Sequence, residues 1–253
     1  MATEMVFEKL RKYDFAVIVP MANEENDFHS FVGSMAAVLD QVGCGKVYFI
    51  VDNASHDNTL QLCNELSGND NRFVTVWSPQ NKNVVEAYIA GYRAALKKQH
   101  AFIIEMDAGL SHDPKALPLF LRALDDGFEC AFGSRFIRGG SISNANLKRI
   151  FLSRGGTVLS NLLLGTRLHD MTSGYQGFHL AVVKQFADYP LLSKAHFYQT
   201  ELRYLLRKKH FTEIPIHYTS PSPRVTIKAV FNSFNVLLRY FYLRILNKAP
   251  FIQ

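Results

Sequence analysis

Short apolar runs alternate with longer amphipathic stretches through the first half of the chain. Phe15-Ala16-Val17-Ile18-Val19 is continuous apolar sequence closed by Pro20, and residues 46–51, 73–77, 101–106 and 130–133 repeat the pattern. Runs of that kind predict strands covered on both faces. Residues 26–40, 58–67, 83–98 and 114–125 fall between them and predict helices. The alternation predicts an α/β fold, a mostly parallel Rossmann-like sheet with helices on both faces.

The second half is less regular. Residues 145–165 and 193–209 suit amphipathic helices, and 213–218 a late strand. Beyond them Ile227, Val230, Phe231, Phe234, Leu237, Leu238 and Phe241 are interleaved with Lys228, Arg239 and Arg244. That pattern has two readings: a helix packed on its own domain, or one lying on an anionic membrane surface or a partner.

Composition narrows the class. With 253 residues, 48% of them hydrophobic, the chain can bury a sizeable core as a single domain spanning 1–253. A net charge of +6 favours phosphates or acidic membranes as partners. It is too modest for a dedicated nucleic-acid binder, and no nucleic-acid partner is expected. Cys44, Cys63 and Cys130 form no CxxC pair, so neither a disulfide framework nor a zinc site is expected, and the cytosol is the default compartment. The opening residues lack a basic-then-apolar leader pattern. No uninterrupted apolar run approaches the ~20 residues of a spanning helix.

Candidate chemistry gathers where strands end. The run 102–106 stops at Asp107, followed by Ala108-Gly109-Leu110-Ser111-His112-Asp113-Pro114. Polar groups also follow the other strands: Pro20 to Glu24, Asp52 to Asp57, and Gly133-Ser134-Arg135. In a parallel sheet these ends converge on one edge, where two acids and an arginine suit a nucleotide with its phosphates. Asp57 and Asp113 also read as helix caps, the latter with proline at the first helical position. Asp52 and Asp107 sit directly at strand ends, before a cap is needed. No GxGxxG follows the first strand, and neither GxxxxGK[ST] nor GxSxG occurs. Dinucleotide oxidoreductases, P-loop NTPases and α/β-hydrolases are therefore disfavoured.

The order of motifs resembles inverting glycosyltransferases of family 2. Val17-Ile18-Val19-Pro20-Met21-Ala22-Asn23-Glu24 is similar to their V-I-P-x-x-N-E opening, and residues 51–59 to V-D-D-G-S-x-D-x-T. Residues 106–114 are similar to M-D-A-D-L-Q-H-x-P. Residues 133–140, Lys148-Arg149, Ser153-Arg154-Gly155 and 170–178 resemble the dolichyl-phosphate mannose synthase branch. The resemblance implies a GT-A fold with a nucleotide-sugar half at about 14–135, an acceptor half at about 136–228, and an amphipathic C-terminal helix at 229–253. It implies a GDP- or UDP-sugar donor, a polyprenyl phosphate acceptor and a peripheral position on the cytosolic face of a membrane. Pro20 and Glu24 would line the nucleoside and Asp52 would bond its base or ribose, with Asn23 and Asn53 in the same site. Asp107 would sit by the diphosphate and its magnesium or manganese, and Lys228 would reach over the donor phosphates. Arg135, Arg149 and Ser153 would hold the acceptor phosphate, Asp107 and Arg135 forming the catalytic pair. Guanidinium suits that task because it pairs bidentately with phosphate oxygens, and Arg149 and Ser153, four apart, share a helix face. Ser173 and Glu201 would belong to the acceptor side, although Glu201 also reads as a surface helix acid.

The chain departs from the family pattern at informative places. Gly109 stands where the second metal-side acid belongs, Ser111 replaces a glutamine, and Ala22 an aromatic. Loop 219–228 lacks the expected glycine and Ser-Lys pair. Asp107 with substrate phosphates and water can still hold magnesium. His112 could assist manganese or serve as a hydrogen-bonding group, and Arg135 with Lys228 could neutralise the diphosphate without metal. Two further functions stay open. One is transfer to a sugar hydroxyl in a cell-surface polysaccharide, with Asp170 or Glu201 as the general base. The other is a non-catalytic nucleotide-sugar-binding subunit.

Overall fold

The computed structural model describes residues 2–109, 111–143, 147–219 and 226–253, the side chains of 2–4, 6 and 147–149 excepted. The chain runs α1 (Ala2–Leu10), β1 (Phe15–Met21), α2 (Phe28–Val42), β2 (Gly45–Val51), α3 (Thr59–Asn69), β3 (Phe73–Trp77), α4 (Val84–Lys98) and β4 (Phe102–Glu105). A 3-10 turn (Pro114–Ala116) leads into α5 (Leu117–Asp125), then β5 (Cys130–Ser134), β6 (Ser141–Ile142) and α6 (Leu147–Leu164). After these come β7 (Gln176–His179), α7 (Leu180–Phe186), α8 (Tyr198–Leu205), β8 (Phe211–Pro215), β9 (His217–Tyr218) and α9 (Ile227–Ile245).

Seven strands form one sheet in the order β3-β2-β1-β4-β7-β5-β8. β1 pairs parallel with β2 (Phe15↔Gly45) and with β4 (Phe15↔Phe102), and every residue from Phe15 to Val19 is fully buried. The pleat divides that strand between two cores. Phe15, Val17, Val19 and Met21 pack on the side of α2 and α5, while Ala16 and Ile18 pack on the side of α4 and α8. Cover on both faces explains why the run shows no alternation. Gly91 lets α4 approach that closely, since a β carbon there would lie 2.2 Å from Ile18 Cγ2.

The expected α/β architecture holds, with one antiparallel insertion. β7 lies between β4 and β5 and runs against both, through Glu105↔Gln176 and Phe132↔Gln176. Its sequence, Gln176-Gly177-Phe178-His179, lacks an apolar run, so periodicity does not announce it. Because β7 is antiparallel to both neighbours, β5 still points the same way as β1, β2 and β4. The four expected strand ends therefore share one edge.

Two expected elements change in detail. The helix over 193–209 shortens to α8, because the backbone N–H groups of Leu192 and Ser193 turn to the Glu201 carboxylate instead of entering the helix. The strand over 213–218 divides at Ile216, whose N–H bonds to Ser134 O, while His217–Tyr218 pairs with β6 in a separate two-stranded sheet. The helices 145–165 and 227–246 appear as α6 and α9, packed on one another. α1, with Leu10 in the core, and α7 have no counterpart among the expected elements.

Candidate active site

The loops after β1 and β2 interlock above the sheet edge. Asn23 takes φ +60° and bridges them: its N–H donates to Ser55 Oγ at 3.1 Å, its amide Nδ2 to Ala54 O at 3.0 Å, and its Oδ1 accepts from His56 N at 2.9 Å. Both ends of its amide are thus engaged in holding the loops. Asn53 Nδ2 likewise donates to Pro79 O in the loop after β3. Asp52 is buried, and one oxygen accepts from Ala54 N at 2.9 Å. Asp57 acts as a cap, accepting from Thr59 N, Ser55 Oγ and Glu25 N. Burial opposes its charge, but those hydrogen bonds prevail and hold the carboxyl at about 2. Asp113 caps the 3-10 turn by accepting from Lys115 N, with Pro114 in the first turn as expected. Pro20 lies beyond the last β1–β4 pair, where the two strand ends part.

Asp107 stands two residues beyond β4. Its Oδ1 accepts from Tyr88 Oη at 2.6 Å, and its N–H donates to His112 Nδ1 at 3.1 Å. The second oxygen, Oδ2, is 3.6 Å from that ring, and the side chain keeps 31% exposure. This answers the two readings of His112. Nδ1 is occupied as an acceptor, the ring is 1% exposed, and burial lowers its pKa. In this arrangement the ring serves as a hydrogen-bonding group through Nδ1. The ring also packs against Tyr218, which lies under the Arg135 guanidinium, so Asp107, His112, Tyr218 and Arg135 form one contiguous row.

Arg135 is fixed from beneath. Nε and Nη2 donate to the two oxygens of Asp170 at 2.7 and 2.9 Å, and Nη2 donates also to Thr172 Oγ1. Asp170 is fully buried; burial alone would raise its pKa, but the Arg135 hydrogen bonds and charge hold it at about 2. Nη1 of Arg135 makes no hydrogen bond to the described residues. Arg154 of α6 shares the Phe136 ring with Arg135, their guanidiniums 5.1 and 5.2 Å from its centroid. Ser153 lies half-buried on the same helix. Arg149 falls in the first turn of α6, and its side chain lies outside the described residues. Lys228, in the first turn of α9, is exposed and unpaired among the described residues, and most of loop 219–228 is outside them.

Ser173 and Glu201 are both buried and hydrogen-bonded within the fold. Ser173 is buried, with its hydroxyl accepting from Tyr175 N and its carbonyl from Arg203. Glu201 is fully buried, contrary to the surface reading. Its oxygens accept from Leu192 N, Ser193 N and Tyr240 Oη, fastening α9 to α8.

A buried polar layer below the edge was not anticipated. Glu105, at the end of β4, accepts from Tyr92, Tyr198 and Gln176, and burial raises it to about 7. Gln176 accepts in turn from Arg203, which also donates to the carbonyls of Asp170, Ser173 and Gly133. The readable signal was Glu105 itself, an acid inside an apolar run, which must find partners once buried. Tyr88 and Tyr92, four apart on α4, supply hydroxyls to Asp107 and Glu105 from one helix face.

Glu24 approaches Asp107 from the β1 loop. Its N–H donates to Thr59 Oγ1 at 2.9 Å, and its carboxyl is raised to about 7 by burial and by the charges of Asp27, Asp107 and Asp57. No cluster of three or more His, Cys, Asp or Glu suited to a metal occurs among the described residues. The Asp107 side chain nevertheless keeps 31% exposure, and one or two carboxylates completed by phosphates and water suffice for a hard divalent ion. The donor set therefore fits magnesium or manganese bound together with a nucleotide.

Polar groups along the carboxyl edge of a mostly parallel sheet mark the place where open α/β folds bind their ligands. The profile of glycosyl transferase family 2 matches residues 16–186, and the chain belongs to that family and is a glycosyltransferase. It is 32% identical over 206 residues to a polyprenol monophosphomannose synthase of Mycolicibacterium smegmatis, covering 80% of this chain and 76% of that one. An undecaprenyl-phosphate mannosyltransferase of Micrococcus luteus is 28% identical over 203 residues, covering 79% and 82%. In fold it matches glucosyl-3-phosphoglycerate synthase from Mycobacterium tuberculosis, solved with Mn2+, UDP and phosphoglyceric acid. The TM-score is 0.63 at 12% identity, over 98% of this chain and 84% of that one.

Proposed function

We propose that this chain transfers one glycosyl residue from a nucleoside-diphosphate sugar to a polyprenyl phosphate, inverting the anomeric centre. The observation that carries the reading is the state of the acids. Transfer to a hydroxyl needs a general base, and the carboxylates nominated for it, Asp170 and Glu201, are both buried and fully hydrogen-bonded. A phosphate acceptor is already ionised and needs none. Arg135, immobilised by Asp170, keeps Nη1 for a phosphate oxygen, and Arg154 adds charge beside it. The related lipid-phosphate mannosyltransferases support the same acceptor.

The chemistry then reduces to placement and charge. Asp52 flanks the nucleoside side, and Asp107 faces the diphosphate. Arg135 brings the acceptor oxygen in line with the anomeric carbon from the opposite side. A divalent ion, when bound, neutralises the charge that develops on the departing diphosphate. Tyr88 and His112 hold Asp107 in register through both oxygen and backbone.

A lipid acceptor requires access to a membrane, and no described helix is long and apolar enough to cross one. α6 and α9 instead expose Phe151 (80%), Leu162 (72%), Ile227 (76%) and Phe231 (65%) beside the basic Arg154, Lys228 and Arg239. Apolar side chains with flanking cations suit an anionic bilayer surface. F151S/F231S should lose flotation with phosphatidylglycerol-containing vesicles while keeping the wild-type melting temperature; undiminished flotation would remove this face from membrane contact. The function itself is tested by offering GDP- and UDP-linked hexoses with polyprenyl phosphate, with and without EDTA. Label is expected in the lipid product only when divalent ion is present. Failure of every donor to label the lipid would overturn the reading.

A further inference from the structure

Position 109 lacks an acid, yet the space such an acid would take is filled. Gly109 has φ +70°, a conformation that suits glycine. A β carbon built on it would lie 2.8 Å from Glu24 Oε2, 3.6 Å from Cδ and 3.7 Å from Oε1. The Glu24 carboxylate thus occupies the space where a side chain at residue 109 would begin, and in this chain that acid arrives from the loop after β1.

The rest of the local structure is arranged to present it. Glu24 is anchored through its backbone to Thr59, and the preceding residue, Asn23, is locked to Ala54, Ser55 and His56. The carboxylate accepts no hydrogen bond from the described residues and pairs with no described cation. The charges acting on it are acids, Asp107 among them. Two carboxylates facing one site with no described cation beside them are the complement of a hard divalent ion. His112 is withdrawn from that role by its bond to Asp107 N.

We propose that Glu24 is the second carboxylate of the donor-side metal site, so that a divalent ion bound with the nucleoside diphosphate is held by Asp107 and Glu24. This rests on the reading of the edge as a nucleoside-diphosphate site. Gly109 is then an adaptation to Glu24 and not a loss of metal binding.

The test measures Mn2+ directly. Purified full-length protein is titrated with Mn2+ in the presence of GDP or UDP, and free ion is read by its electron paramagnetic resonance signal. E24Q is expected to weaken Mn2+ binding by about tenfold or more, the scale lost when even an outer-shell partner of a metal ligand is removed. E24A/G109D, which moves the carboxylate to the other loop, is expected to regain most of that affinity. A merely structural Glu24 would not be replaced in this way. Wild-type affinity for Mn2+ in folded E24Q overturns the proposal. Nucleotide binding by wild type that ignores Mn2+ also overturns it and leaves the transferase reading standing. Absence of any nucleotide binding overturns both.

Discussion

Asp107→Asn is expected to lower sugar transfer by about a hundredfold or more, the scale lost when one preorganised group at a developing charge is removed. The fold should be unaffected. The substituted asparagine retains an oxygen for the Tyr88 hydroxyl and a backbone N–H for His112 Nδ1, the two bonds that seat the residue. What disappears is the negative charge of a side chain that keeps 31% exposure. Initial rates at saturating donor, with melting temperatures alongside, check this. Transfer within roughly twofold of wild type in the folded variant would remove Asp107 from the proposed diphosphate site.

Asp170→Asn should strike stability and activity together. It leaves the Arg135 guanidinium buried without a counter-charge, a change that costs about 3 kcal/mol in comparable cases, roughly 6–12 °C in Tm for a domain of this size. Transfer should fall with it, because Arg135 loses the two bonds that orient it. The pH dependence has a definite sign. Asp170 is held at about 2 in the fold, below an ordinary carboxyl near 3.9, so its contribution is complete above the ordinary value. It is lost as pH falls through the ordinary value toward the folded one. Acid unfolding curves of wild type should show that loss, and D170N should lack it. Equal melting temperatures at pH 7 would show that the pair does not hold the site.

Much of this site was legible because strands buried on both faces leave an unmistakable apolar signature. Asp52 and Asp107 stood out as acids ending such runs, and the shared strand direction brought them to one edge. Spacing along the chain carried no information about what their side chains face. Asn23 matched a nucleotide-site position, but its amide is engaged between two loops. Glu201 read as surface or acceptor side and is a buried clamp, because its partners lie on 192–193 and on α9, remote from any local pattern. β7 was hidden by the same cause: its polar Gln176 is buried only because Glu105 and Arg203 satisfy it. Gly109 illustrates the limit best. One chain position showed an acid missing, and only the three-dimensional approach of Glu24 showed the space occupied.

The central claim is that the acceptor is a phosphate that needs no base. It is tested most directly by offering purified protein two acceptors with the same isoprenoid chain, one ending in phosphate and one in hydroxyl, with the same labelled nucleotide-sugars. Label should appear on the phosphate-ended lipid alone, as a β-linked product from an α-linked donor. Transfer to the hydroxyl-ended lipid at a comparable rate would contradict the account.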